Sequence, residues 1–134
     1  MAINGQLTGM RGVYLVAAEL SKLGFIVSLT SRSSFGADIL VTDQDLKKTY
    51  SIQVKTNAST FGFWLLNKHC KNLKSERHLY VFVNLRDKKC LIEYFIVPSG
   101  VVSDKMIISK PKTSTWYSFA HKDAKKYENK WSIF

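Results

Sequence analysis

The spacing of apolar positions changes along the chain, and each change marks an element. Between Gly9 and Leu23, residues Val13, Val16, Ala17, Leu20 and Leu23 recur every three or four positions, giving a helix with one apolar stripe. Thr8 suits the N-cap and Gly24 the stop. Phe25 to Thr30 is β-branched and aromatic and predicts a strand, and SRSSFG has loop chemistry. Ala37 to Thr42 and Thr49 to Thr56 predict two further strands, joined by a hairpin turn over Asp43 to Lys48. Phe63 to Ser75 reads as a short helix or an irregular connection. His78 to Leu85 and Leu91 to Val97 are strands flanking the charged turn RDKKC. Helical stretches are expected at Ser99 to Ile107 and Ser118 to Tyr127. Hairpin-length and longer connections alternate, so the sheet should be mixed, in an α/β sandwich.

At 134 residues the chain has the size of one domain, and it shows neither an internal repeat nor a low-complexity tract. A chain this long buries roughly two-thirds of its unfolded surface, enough for a core without covalent staples. No apolar stretch approaches the roughly 20 residues of a membrane span, and MAINGQLTGMRG lacks the order of a secretion signal. Cys70 and Cys90 form no CxxC pair and are expected to be reduced thiols of a cytoplasmic protein.

Charge adds a direction. The net charge is +10; residues 1–43 are neutral, residues 44–90 carry +7 and residues 101–134 carry +4. A field of that sign favours a polyanion, nucleic acid above all, although a solvated lysine surface that only aids solubility is the plainer alternative. Lys68, Lys71, Lys74 and Arg77 are the candidate nucleic-acid contacts. Phe61, Phe63 and Trp64 lie beside them and fit core packing better than stacking on bases. His69, His78 and His121 share no ligand spacing and are expected at the surface or in packing. Trp116, Tyr117, Trp131 and Phe134 predict that the tail folds back on the domain, with its lysines outside.

The chemistry concentrates in two segments, FGADILV and SIQVKTN. On the third strand, Ser51, Gln53, Lys55 and Asn57 alternate with Tyr50, Ile52, Val54 and Thr56, so a polar row and an apolar row face opposite ways. If the second and third strands form a hairpin, Asp38 reaches Gln53 and Lys55. A carboxylate and a carboxamide are hard oxygen ligands for Mg²⁺, and an amine beside them can position a water or neutralise charge on a phosphate. The same residues also fit a plainer arrangement, with Asp38 capping a turn after Gly36 and Gln53 and Lys55 on the wet face of an edge strand.

Asp38 followed by Gln53-Val54-Lys55, behind a helix that ends Leu23-Gly24-Phe25, resembles the PD-(D/E)xK nuclease superfamily over about residues 9–97. The helix end is similar to the Holliday-junction resolvase-like branch. The resemblance implies a restriction endonuclease-like αβββαβ core, with a mixed central sheet flanked by helices and a basic C-terminal extension over residues 98–134. It implies a metal held by Asp38, Gln53 and the carbonyl of Val54, with Lys55 as the catalytic lysine and DNA as the partner. It also allows a homodimer, since relatives of that branch cut two strands. Gln53 stands where the family commonly has Glu. Val13 stands where the resolvase-like branch has a metal-binding Glu after a glycine, here Gly12. Glu19 lies about 240° further round the helix than Val13 and is not expected to replace it. With one carboxylate, affinity for Mg²⁺ should be weak until a DNA phosphate adds its oxygen and charge. Three readings follow: a Mg²⁺-dependent DNA endonuclease, a non-cutting DNA-binding descendant, or a protein-interaction or immunity module with a basic surface.

Overall fold

The computed structural model describes residues 4–31, 36–59, 61–86 and 91–134. Helix α1 spans Gly5–Lys22 and is followed by strands β1 (Ile26–Leu29), β2 (Ile39–Thr42) and β3 (Thr49–Asn57). Strand β4 (Phe63–Leu66) and a 3-10 turn (Lys68–Lys71) lead to β5 (His78–Asn84), β6 (Glu93–Pro98) and α2 (Ser99–Lys105). The chain continues through β7 (Ile107–Ser109), β8 (Trp116–Ala120), α3 (His121–Ala124) and two 3-10 turns, Lys125–Tyr127 and Trp131–Ile133.

Helix α1 begins earlier than its apolar stripe. Asn4, not Thr8, is the N-cap, and its Oδ1 accepts the N–H of Leu7 at 3.0 Å. The first turn is largely exposed, Leu7 included, and lies outside the buried stripe, which is why periodicity alone starts the helix too late. The C-terminus stops as expected. Gly24 adopts φ +94°, its N–H bonds to Ser21 O, and the N–H of Phe25 reaches back to Leu20 O.

Five strands form a mixed sheet in the order β1-β2-β3-β5-β6, with β3 and β5 parallel and the other pairs antiparallel. On one face Val13, Val16 and Leu20 of α1 pack against Ile39, Val41, Ile52, Val54, Val81 and Ile96. Leu20 is wholly buried, and cutting it back to Ala would cost about 2–5 kcal/mol. The other face carries a second core, where Tyr80, Phe82, Phe95 and Val97 meet Trp64, Phe119 and Val102. Strand β5 is buried along its whole length, which explains its unbroken apolar run.

The second core exists because of a small antiparallel sheet, ordered β4-β8-β7. Two expectations are corrected here. Phe63–Leu66 is a strand, and only Lys68–Lys71 of the following connection is helical. The stretch from Ser118 is not helical throughout, because Trp116–Ala120 pairs with β4 and β7, leaving helix only from His121. Trp64, whose Nε1 donates to Val83 O at 3.0 Å, supplies the long-range anchor that local spacing does not reveal. The tail does fold back. Phe134 packs on Phe25 and Tyr50, and Trp131 packs on Tyr94. Trp116 departs from that expectation and is half exposed. Cys70 is buried as a free thiol, whereas Cys90 and most of the RDKKC turn lie outside the described residues.

Candidate functional site

The polar row of β3 and the apolar row opposite it are separated as the alternation requires. Ile52 and Val54 are buried under α1, while Ser51, Gln53, Lys55 and Asn57 point the other way. Ile39 pairs with Ile52, which brings Asp38 beside Gln53. The backbone of Asp38 is held from both sides. Its N–H donates to Ile52 O at 2.8 Å, and its carbonyl accepts the N–H of Thr30 at 3.0 Å.

The carboxylate of Asp38 then spans the hairpin. Its Oδ2 accepts the N–H of Val54 at 2.8 Å. Even-numbered amides of β3 point toward β2, while Ser51 N–H bonds in the other direction, to Arg77 O. A residue's N–H and C=O leave a strand on the same edge, so the Val54 carbonyl faces the gap where β2 has ended. Gln53 Oε1 is buried and has no hydrogen-bond partner among the described residues. An acceptor in that state costs about 1–3 kcal/mol unless a donor or a cation meets it. Lys55 is half-buried, and its side chain makes no hydrogen bond or ion pair among the described residues. The hairpin therefore gathers Asp38, Gln53, Val54 and Lys55.

On the α1 side of this hairpin, Met10, Val13, Tyr14, Leu29, Thr30, Ser31 and Asp38 line a pocket of about 200 Å³. Val13 thus shares a pocket with Asp38 and offers it a hydrocarbon surface. Glu19 does not line this pocket. Burial raises the phenol of Tyr94 on β6, the nearby Glu19 charge adds to it, and Arg11 opposes it. Among the described residues, no three acidic, His or Cys side chains come together as a metal cluster. The oxygens of Asp38, Gln53 and the Val54 carbonyl are a hard but weakly charged set, which suits a cation that shares its coordination with an anionic ligand.

The four cations singled out in the sequence have different local contacts. Lys71 Nζ donates to Ser103 O at 2.9 Å, and Lys74 pairs with Asp104 at 3.1 Å, so both are tied to α2. The Arg77 guanidinium lies 5.8 Å from the centroid of the Tyr50 ring. Lys68 is exposed on the 3-10 turn. His78 is buried with its Nδ1 2.7 Å from Ser51 Oγ, and burial lowers its pKa although interaction with the Ser51 backbone opposes the shift. His121 packs against Trp64 and Phe95. The histidines described in packing thus match their expected role.

Two tertiary arrangements lay beyond sequence reasoning. Asn57, already in the polar row, donates from its Nδ2 to Phe63 O at 2.9 Å and ties that row to the small sheet. Lys105, Lys122, Lys125 and Lys126 surround a pocket of about 340 Å³ with Asp123 as its one acid. The lysine excess of residues 101–134 was the available signal.

No protein-family model matches the chain, and no curated protein matches it. Solved structures do. A bacterial homing endonuclease superposes with a TM-score of 0.64 at 12% identity, covering 98% of this chain and 91% of the other. A Holliday junction resolvase from Archaeoglobus fulgidus superposes with a TM-score of 0.56 at 14% identity, covering 88% of each chain. Identity this low carries the fold alone, and both neighbours are built on the same architecture. The chain has the restriction endonuclease-like fold of these two structures.

Proposed function

We propose that this chain is a metal-dependent endonuclease that acts on DNA phosphodiesters, working as one domain. The observation that carries the reading is the Asp38 carboxylate bonded to Val54 N–H, with the buried Gln53 Oε1, unpartnered among the described residues, on the adjoining position. Nucleases of the same fold, one of them a resolvase of Holliday junctions, add support.

In this reading Asp38, Gln53 and the Val54 carbonyl would hold Mg²⁺. The ion, when bound, supplies Lewis acidity and a more acidic water. The water oxygen would form a bond to phosphorus and release a proton, one P–O ester bond would break, and the departing oxygen would take up a proton. Lys55 orients the water or offsets the charge that grows on the phosphate. Asp38 has a second task. By fixing Val54 N–H it holds the strand edge that presents the carbonyl, so the ligands stay preorganised. With a single carboxylate, metal and DNA bind together rather than in sequence.

A second reading, DNA binding without cutting, is favoured by Val13, whose apolar side chain lines the pocket where a further carboxylate would strengthen the site. Cleavage of branched, single-stranded and duplex DNA with Mg²⁺ or Mn²⁺ separates the two. The first reading expects cutting by wild type that Lys55→Ala abolishes. Wild type inert on every substrate, yet binding DNA with salt-dependent affinity, leaves the second. Absence of salt-dependent binding sinks both and turns attention to an acidic protein partner.

A further inference from the structure

The small sheet has an outward face that the candidate site does not use. Trp64 and Phe119 point inward to the second core, and alternation turns their neighbours to solvent. Phe63, Leu65 and Trp116 are 49%, 52% and 51% exposed. With Ser109 and Ser118 they surround a shallow pocket of about 310 Å³. The cross-strand pairs Leu65 with Ser118 and Ser109 with Trp116 put them on one continuous surface.

The segment of chain that carries β7 and β8 is basic. Residues 107–122 contain Lys110, Lys112 and Lys122 and no Asp or Glu. Aromatic rings set among cations suit a ligand that is flat and apolar on its faces and anionic along its backbone. Unpaired nucleotides have that character, since each base offers a face for stacking and each phosphate a charge for a lysine. A duplex hides its base faces and could meet only the lysines. A second copy of this chain would bring an equally positive rim against this one, which like-charge repulsion opposes.

Position ties the face to the candidate site. Strand β4 is the edge of the small sheet, and its Phe63 carbonyl is bonded to Asn57, two residues beyond Lys55 on the same side of β3. We infer that the outward face of the small sheet binds unpaired nucleotides, with Phe63 and Trp116 stacking on bases next to the phosphodiester at Lys55. The inference rests on reading the site as one directed at nucleic acid.

The full chain is titrated with a short oligothymidylate and with its duplex, at one salt concentration. Of the tryptophans, Trp64 is buried and Trp131 half-buried, so stacking should quench the emission of Trp116. Phe63→Ala with Trp116→Ala should lower affinity for the single strand about tenfold or more and change duplex affinity by less than about twofold. Trp116→Phe should keep the affinity and lose the quench. Unchanged single-strand affinity in the double variant overturns the inference, and so does an equal loss on both DNAs. A dimer of the wild type that the double variant dissolves, with DNA affinity intact, assigns the face to a second copy instead. Wild type that binds neither DNA refutes the nucleic-acid reading itself, a result distinct from failure of the stacking face.

Discussion

A Cβ added to Gly12 would lie 1.8 Å from Thr56 Oγ1, so α1 rests on β3 through a position with no room for a side chain. Val13, the next residue, owes its place beside Asp38 to that contact. Gly12→Ala gains helix propensity but forces α1 away from the sheet, and overpacking of this kind costs about 1–3 kcal/mol. Urea unfolding should show the loss. Adding Thr56→Ala removes Oγ1 and Cγ2 and should recover most of it, giving a clear coupling energy in the double-mutant cycle. Additive effects would contradict the steric account.

Val13→Glu should turn the pocket beside Asp38 into a two-carboxylate site. Cation affinity rises with the charge of the ligand set, and a ligand that binds only the folded state raises its stability. Added Mn²⁺ is expected to raise the unfolding midpoint of Val13→Glu more than that of wild type, and the gain should vanish when Asp38→Asn is combined with it. An equal metal response in wild type and variant would show that position 13 does not reach the cation. Without metal, Val13→Glu should be less stable than wild type, because it sets two like charges in a pocket of about 200 Å³.

The basic stretch around the 3-10 turn should divide into two kinds of residue. Lys71 is bonded to α2 through Ser103 O, and Ser103 Oγ donates back to Lys71 O. Lys71→Met is expected to lower stability by about 1 kcal/mol, the usual net worth of one such bond. Lys68 is exposed on the 3-10 turn, so Lys68→Ala should leave stability alone and reduce the salt dependence of DNA binding by about one unit of log–log slope. Thermal unfolding paired with a salt titration of affinity checks both, and a reversal of the two phenotypes would refute the assignment.

His78 makes stability depend on pH. Burial holds its imidazole below the ordinary value of 6.5, so the folded chain favours the neutral ring. As pH falls, the unfolded chain takes up this proton first. Stability is therefore fully present above the unfolded value, declines as pH drops toward the lower folded value, and levels off beneath it. The unfolding midpoint should fall between about pH 7.5 and pH 5 in wild type and fall less in His78→Gln. A variant with the same pH profile as wild type would remove His78 as the cause.

Much of this protein is written locally. The stripe from Val13 to Leu20 fixed the buried side of α1, and the alternation of Gln53 and Lys55 with Ile52 and Val54 fixed which side chains could share a site. Those patterns are legible because helix and strand periods are set by the backbone itself. The turn over Asp43 to Lys48 was equally legible, since Asp43 Oδ1 accepts the N–H groups of Lys47 and Lys48 within the turn.

Tertiary structure decided the rest. Phe63–Leu66 became a strand only because β8, some fifty residues later, pairs with it and because Trp64 finds the second core. A four-residue strand has too few local interactions to declare itself, so its state was set by contacts that no sequence window contains. The bond from Asp38 to Val54 is of the same kind: the residue types announced the chemistry, but the register of β2 on β3 and the end of β2 at Ile39 determined that a carboxylate, a carboxamide and a peptide carbonyl meet. Sequence alone established which groups were available and which way they could point; only the packed sheet established their neighbours, because distance between strands is paid for by cores on both faces and not by the strands themselves.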